Sequence, residues 1–505
     1  MLSLPLSARC VRPWAAAAKK LPKVTKSTIS HMSSKVSEPA RAEAATRDAP
    51  AKVGVYAGGK EMPFTSVLRI EDPDKLPVWP VFRVLDDDGS VRADAGEPTL
   101  GKETALKMYG NMVRLEAMDD IFYNAQRQAR YGITASARQL LGLRIGPRPP
   151  MGQAAITRRM AGRISFYLQS AGEEALQMGG AAALDMNDMA FTQYREPGLL
   201  MWRDFGIQSF ADQCLSNISD LGKGRQMPVH YGSKELHYQT VSSPLGTQIP
   251  QAVGAGYALK LSGKDNIAVC YFGDGAASEG DFHAALALAA TRDVPVLFVC
   301  RNNGYAISTS VADQYRGDGI VSRAPGYGMH AVRVDGNDAL AMFAATAEAR
   351  RICLSQKKPV LMEAMTYRLG HHSTSDDWSR YRSSNEVKQW KANHHPIRRF
   401  YSYLEGKGWW DSAKDRALRD RERRSVLIVS SPTCARNGRT QGQTELGQYF
   451  RGRLRGGAST LAGTKASASR PSRKERGPVR RGGWLKAPLT CSRCLRREVR
   501  VLRSR

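Results

Sequence analysis

The chain has 505 residues, and a hydrophobic content of 42% excludes wholesale disorder and allows a large core, two to four domains' worth of chain. No run approaches the roughly 20 apolar residues of a membrane span, and eight cysteines are too sparse for a disulfide scaffold. A net charge of +28 first suggests a nucleic-acid binder, so its placement along the chain decides the reading.

Residues 1–36 hold seven bases and no acid, with serines and alanines between them, and Pro5, Arg9, Arg12 and Pro13 interrupt any secretory apolar core. That chemistry predicts a mitochondrial import sequence, with residues 1–50 as transit peptide and linker and free thiols expected in the matrix. Residues 51–101 read as an extended, turn-rich N-terminal arm, with Asp86-Asp87-Asp88-Gly89 turning the chain after the apolar run Trp79–Leu85. From Lys102 to Arg130, Leu106, Met108, Met112, Leu115, Met118, Ile121 and Phe122 recur at helical spacing and predict a helix. Residues 131–162 carry five arginines and no acid, and their Gly146-Pro-Arg-Pro-Pro-Met-Gly152 centre cannot continue a helix.

The next stretch is the most informative. Asn266–Phe272 reads as a buried strand, Asp281–Thr291 as an alanine-rich helix and Val294–Cys300 as a second buried strand. His330–Val334, Ala339–Leu354 and Val360–Met365 repeat that order. Strand–helix–strand units predict an α/β domain whose mostly parallel sheet has helices on both faces. Residues 428–505 hold 19 bases against Glu445, Glu475 and Glu498, are rich in Arg, Gly and Ser, and are expected to be disordered. Cys491-x-x-Cys494 in this tail has no second ligand pair nearby and reads as coincidence. Outside the three basic segments, 44 bases meet 44 acids, so the main body is neutral and no nucleic-acid partner is expected.

Ligands in such sheets bind beyond the carboxyl ends of the strands. There the sequence places Gly273-Asp274-Gly275 and, 26 residues on, Asn302-Asn303. The glycines let backbone approach a phosphate. Asp274, Asn303 and the Tyr305 carbonyl offer the incomplete shell of hard oxygens that Mg²⁺ prefers. This paired signature resembles that of thiamine diphosphate enzymes. Gln193-Tyr-Arg-Glu-Pro-Gly198, Asn217–Gly232, Ser242–Gln251, Tyr315–Ile320 and Met365–Asp377 narrow the resemblance to the alpha subunits of the branched-chain 2-oxo acid dehydrogenases, over about 163–427. The pyruvate-specific alpha subunits are the close alternative, and a catalytically inactive assembly relative is the alternative of another class.

The resemblance implies the thiamine diphosphate-binding fold, with a catalytic domain over 102–427 interrupted by an insertion at 131–162. It implies oxidative decarboxylation of branched-chain 2-oxo acids, a 3-methyl-2-oxobutanoate dehydrogenase (2-methylpropanoyl-transferring) activity, with the acyl group passed to a lipoyl disulfide. It places Mg²⁺ on Asp274, Asn303 and Tyr305, and the diphosphate against Tyr194, Arg195, Gly275, Ala276, Arg301 and His372. Ser243 and Leu245 would face the cofactor's middle, with His372 and Ser243 catalytic. Ser242, Pro244, Thr247 and Gln248 would form a K⁺ loop, and Ser373 and Ser383 would be regulatory phosphorylation sites for a kinase and phosphatase. The implied partners are a beta subunit in an α₂β₂ heterotetramer and a lipoyl-bearing acyltransferase core, in the mitochondrial matrix. Against this pattern, 131–162 and 428–505 read as translated non-coding sequence or a frame change, with a real lineage-specific extension as the alternative.

Overall fold

The computed structural model describes residues 53–55, 61–140 and 164–429; the expected transit peptide, most of the expected insertion and the basic tail from 430 lie outside these residues. The first compact unit ends at Leu76. Within it, β1 (Val53–Val55) and β2 (Glu61–Pro63) form an antiparallel ribbon, followed by a 3-10 turn over Pro73–Lys75. The Asp72 carboxylate caps that turn by accepting from Asp74 N. The expected arm of 51–101 therefore divides, and residues from Pro77 onward belong to the second unit.

In the second unit the chain order is α1 (Lys102–Leu140), α2 (Glu174–Ala183), β3 (Met189–Phe191), α3 (Pro197–Trp202), α4 (Ile207–Leu215), α5 (Gln248–Leu261) and β4 (Ala268–Gly273). Then come α6 (Gly280–Thr291), β5 (Val296–Asn302), the short hairpin β6 (Tyr305–Ala306) and β7 (Thr309–Ser310), α7 (Val311–Gln314), α8 (Ala324–Tyr327) and β8 (His330–Asp335). The chain finishes with α9 (Ala339–Gln356), β9 (Val360–Met365), α10 (Ser384–Asn393), α11 (Pro396–Gly406) and α12 (Ser412–Val429). One sheet of five strands runs β3-β4-β5-β9-β8 with every neighbouring pair parallel.

The strands read as continuous apolar runs because both faces are covered. Val269 and Tyr271 of β4, with Leu297 and Val299 of β5, pack into the core shared with α1, α2 and α9. Their alternating neighbours Ala268, Cys270, Phe272, Val296, Phe298 and Cys300 pack into the core shared with α5 and α6. Burying an aromatic such as Phe272 of β4, Phe298 of β5 or Phe282 of α6 is worth about 2–3 kcal/mol, which makes these strands and the helix packed on them the anchor of the fold. The second strand of the sequence reading starts two residues late and runs into Arg301 and Asn302. Pro295 has no N–H to donate, so regular pairing begins after it.

The predicted turn at Asp86–Gly89 is present. Leu85 and Val91 bridge antiparallel, Gly89 N donates to Asp86 O at 3.0 Å, and Gly89 takes the positive φ of +91° that its position requires. The Asp338 carboxylate ties this segment to the sheet. It accepts from Val84 N and Leu85 N at 2.7 and 2.6 Å and also caps α9 through Leu340 N and Ala341 N. The helix expected to end near Arg130 continues to Leu140, ten residues into the expected insertion.

Candidate active site

Four adjacent parallel strands end on one cavity of about 580 Å³. β3 leads into Gln193-Tyr194-Arg195, β4 into Gly273–Ala276, β5 into Asn303, and β9 into the loop carrying Arg368 and His372. Ser243 and Leu245 close the cavity from the loop before α5, and Tyr305, Ile307 and Gln314 close it from the β6–β7 hairpin and α7. All eleven residues expected to hold the cofactor or Mg²⁺ line this cavity: Tyr194, Arg195, Ser243, Leu245, Asp274, Gly275, Ala276, Arg301, Asn303, Tyr305 and His372.

The positive groups in the wall differ in what balances them. Arg301 is buried, its Nε donates to Glu196 Oε1 at 2.8 Å, and Glu173 Oε2 lies 3.4 Å away. Burial alone would pull the guanidinium down, but Glu173 and Glu196 outweigh it and hold Arg301 above its ordinary range. Arg195 and Arg368 are partnered by neutral acceptors. Arg195 donates to the carbonyls of Gln169 and His372, and Arg368 to Ile307 O at 2.7 Å and Tyr381 Oη at 3.0 Å. Both reach His372 Nδ1, at 3.3 Å from Arg195 and 2.9 Å from Arg368. An arginine only donates, so Nδ1 is the accepting nitrogen and the ring proton sits on Nε2. Burial first, then the charges of Arg195, Arg368 and Arg301, push His372 down to about 2, so it stays a neutral donor at working pH. The Arg368 Nε is buried without a hydrogen-bond partner among the described residues, as are the Nε atoms of Arg382 and Arg399.

The same cavity wall carries the residues expected to hold Mg²⁺. Burial raises Asp274 above its ordinary range, against the Gln314 amide, which donates to its Oδ2 at 2.7 Å, and the charge of Arg301. Asn303 Nδ2 donates to the buried Glu173 Oε1 at 2.6 Å, which fixes the amide so that its Oδ1 is the accepting end, taking Tyr305 N at 3.3 Å. Gln193 Oε1 accepts from Gly273 N at 2.8 Å and holds the start of the glycine loop. A Cβ on Gly275 would sit 2.7 Å from the Ala306 Cβ, so this loop needs glycine for close approach.

The remaining expected residues fall outside the cavity wall. Pro244, Thr247 and Gln248 follow Ser242 into α5; the Thr247 hydroxyl donates to Pro244 O at 3.1 Å, and Gln248 Nε2 to Tyr271 O. Ser373 follows His372 and is 6% exposed, with its Oγ accepting from Ser375 N. Ser383 caps α10 by accepting from Asn385 N and Glu386 N. Glu386 in turn accepts from the hydroxyls of Tyr305 and Tyr367, at 3.2 and 2.8 Å. His371 lies off the cavity, stacked on Tyr123 and accepting from Trp378 N. Sequence reasoning did not single out Glu173, Glu196, Gln193, Gln314 or Arg368, which position the residues it did find.

A family described as the dehydrogenase E1 component matches residues 148–427. The chain is 49% identical over 369 residues to the human mitochondrial 2-oxoisovalerate dehydrogenase subunit alpha, covering 73% of this chain and 76% of that protein. It is 48% identical over 374 residues to the subunit of the same name from Caenorhabditis elegans (74% and 79%), and 46% over 372 residues to subunit alpha 2 of Arabidopsis thaliana (74% and 72%).

Proposed function

The chain belongs to the dehydrogenase E1 component family, and from that premise we propose that it is the alpha subunit of a mitochondrial, thiamine diphosphate-dependent dehydrogenase of branched-chain 2-oxo acids. The relatives named above are 2-oxoisovalerate subunits, which favours this reading over the pyruvate-specific alternative. The observation that carries the cofactor reading is the pair Arg195 and Arg368, two buried guanidiniums turned on one neutral histidine without a carboxylate partner among the described residues. A diphosphate would satisfy them with charge-assisted hydrogen bonds.

The residues fit as follows. Arg195, Arg301, Tyr194, His372 and the Gly275-Ala276 backbone would receive the diphosphate. Asp274, Asn303 and the Tyr305 carbonyl would take Mg²⁺, with phosphate and water completing its shell. Ser243 and Leu245 would meet the cofactor's middle, and Ser242, Pro244, Thr247 and Gln248 would bind K⁺. When bound, thiamine diphosphate supplies the carbon nucleophile and the electron sink that 2-oxo acid decarboxylation requires. This chain's part is placement. Arg301, clamped by Glu173 and Glu196, presents a fixed fork; His372, kept neutral, offers its Nε2–H as a donor; Leu245 and Ile307 add apolar surface to the cavity wall.

A beta chain would supply the carboxylate that activates the cofactor, in an α₂β₂ assembly, and a lipoyl-bearing acyltransferase would take the acyl group. A kinase and phosphatase acting on Ser373 and Ser383 would control turnover. The protein works in the mitochondrial matrix, and no helix among the described residues is long and apolar enough to cross a membrane. The test is Mg²⁺-dependent binding of thiamine diphosphate by the assembled alpha and beta chains, with decarboxylation of 4-methyl-2-oxopentanoate. Turnover by the alpha chain alone would refute the shared site.

A further inference from the structure

Ser243 lines the cavity, and a residue given no role so far holds it there. His230 is 4% exposed, and its Nε2 lies 2.9 Å from Ser243 Oγ. Its other nitrogen, Nδ1, lies 3.0 Å from the carbonyl oxygen of Pro228. A carbonyl only accepts, so Nδ1 carries the proton. Burial holds the ring below its ordinary range and keeps it neutral. Nε2 is therefore bare and accepts from the Ser243 hydroxyl, whose single hydrogen is spent on that bond. What Ser243 turns toward the cavity is lone pairs alone.

The loop presenting His230 is held in a costly backbone conformation. Val229, a β-branched residue, has φ of +66°, where side chains of its type are rare. Gln213 enforces the turn from both sides: its Oε1 accepts from Val229 N at 3.0 Å and its Nε2 donates to Met227 O at 2.7 Å. Conformations of this kind persist where the surroundings over-determine them, and they cluster at functional sites. A histidine that merely fills a core needs neither the strained approach nor a partner on the cavity wall.

We propose that His230 is a positioning residue that locks Ser243 as a hydrogen-bond acceptor for an N–H or O–H donor on the bound cofactor or the reacting substrate. The inference rests on the cofactor reading above. It assigns Ser243 a fixed polarity: the site accepts a donor at that point and rejects an acceptor.

The experiment uses the assembled alpha and beta chains, with calorimetric titration of thiamine diphosphate in Mg²⁺ and steady-state turnover of 4-methyl-2-oxopentanoate. His230→Asn keeps a donor for the Pro228 carbonyl but cannot reach Ser243. We expect it to lose about tenfold, the scale of one hydrogen bond, with the melting temperature retained. The loss falls in cofactor Kd if the donor is on the cofactor, and in kcat at unchanged Kd if it is on the substrate. In the Ser243→Ala background the same change costs less than about twofold, because the coupled partner is gone. His230→Gln, whose side-chain oxygen can reach Ser243, recovers most of the loss. If His230→Asn does not assemble, His230→Phe serves as the loss variant, filling the space with no nitrogen. Kd and kcat both within twofold of wild type, or an equal loss with and without Ser243, would overturn the role of His230. A wild-type complex that fails to bind thiamine diphosphate would instead overturn the cofactor reading itself.

Discussion

Glu196→Gln tests whether the clamp on Arg301 aims it at the diphosphate. Glu196 uses both oxygens: Oε1 accepts from Arg301 Nε at 2.8 Å and Oε2 from Gln193 N at 2.9 Å. A glutamine has one oxygen for these two donors, so one N–H must face an NH₂ group. Removing one partner of a buried ion pair costs about 3–5 kcal/mol. Glu173, 3.4 Å from Arg301 Nε, remains to carry part of the charge, so roughly 2–3 kcal/mol is expected here. At about 2–4 °C per kcal/mol for a large domain, the melting temperature should fall by roughly 5–10 °C. The second effect is on the ligand. A loosened fork loses one charge-assisted hydrogen bond, about 1.5–3 kcal/mol, so the Kd for thiamine diphosphate should rise roughly tenfold to a hundredfold. Differential scanning fluorimetry and calorimetry on the assembled complex in Mg²⁺ read both. A melting temperature within a degree or so of wild type together with an unchanged Kd would refute the reasoning.

The other expectations are briefer. Gly275→Ala places a Cβ 2.7 Å from the Ala306 Cβ, an overpacking of about 1–3 kcal/mol, and should weaken Mg²⁺-dependent cofactor binding more than it lowers the melting temperature. Ser373→Glu introduces a charge at a 6%-exposed position beside His372 and should largely abolish decarboxylation; near-normal turnover would sink the phosphorylation switch. Asp119 accepts from Tyr167 Oη at 2.8 Å and from Ser170 N at 2.5 Å, so Asp119→Ala leaves two buried donors unpaired and should cost about 2–4 kcal/mol in urea unfolding. His372 is depressed from 6.5 to about 2, chiefly by burial and then by the surrounding arginines. The unfolded chain binds that proton first, so the stability is present above about pH 6.5 and is lost as pH falls, at about 1 kcal/mol per unit. His372→Gln should flatten the difference in urea stability between pH 6.5 and 5.5 by that amount, and parallel curves would count against it.

The parts of the site that were legible in the sequence are those fixed by strand ends. Asp274 and Asn303 follow buried apolar strands, and a parallel sheet must bring the carboxyl ends of neighbouring strands together. The sheet's two-sided burial was legible for the same reason, in the apolar runs within Asn266–Phe272 and Val294–Cys300. The supporting residues carry no such signal. Glu173 precedes α2, 130 residues from the Asn303 amide it orients, and Arg368 sits in a loop with no periodicity to place it. His230 stood only as part of the segment Asn217–Gly232, because nothing local shows that Val229 must adopt a positive φ to bring it to Ser243. Residues in contact across such separations are visible only once the sheet has folded.

The charge distribution has a consequence for binding that composition alone misstates. The excess of +28 lies in 1–36, 131–162 and 428–505, and the remainder holds 44 bases and 44 acids. Within that neutral remainder, charge is separated locally rather than spread. Arg301 is balanced by Glu173 and Glu196, whereas Arg195 and Arg368 are left to a ligand, and all three are buried. Buried charges are weakly screened, so the affinity for thiamine diphosphate should change little between about 50 and 200 mM salt. Any binding of nucleic acid through the basic segments is bound to counterion release and should fall by orders of magnitude over the same range. A titration of both ligands across that range separates the two kinds of positive charge. Parallel salt dependence would mean that the arginines of the cavity are not the enclosed, carboxylate-free pair on which the cofactor reading stands.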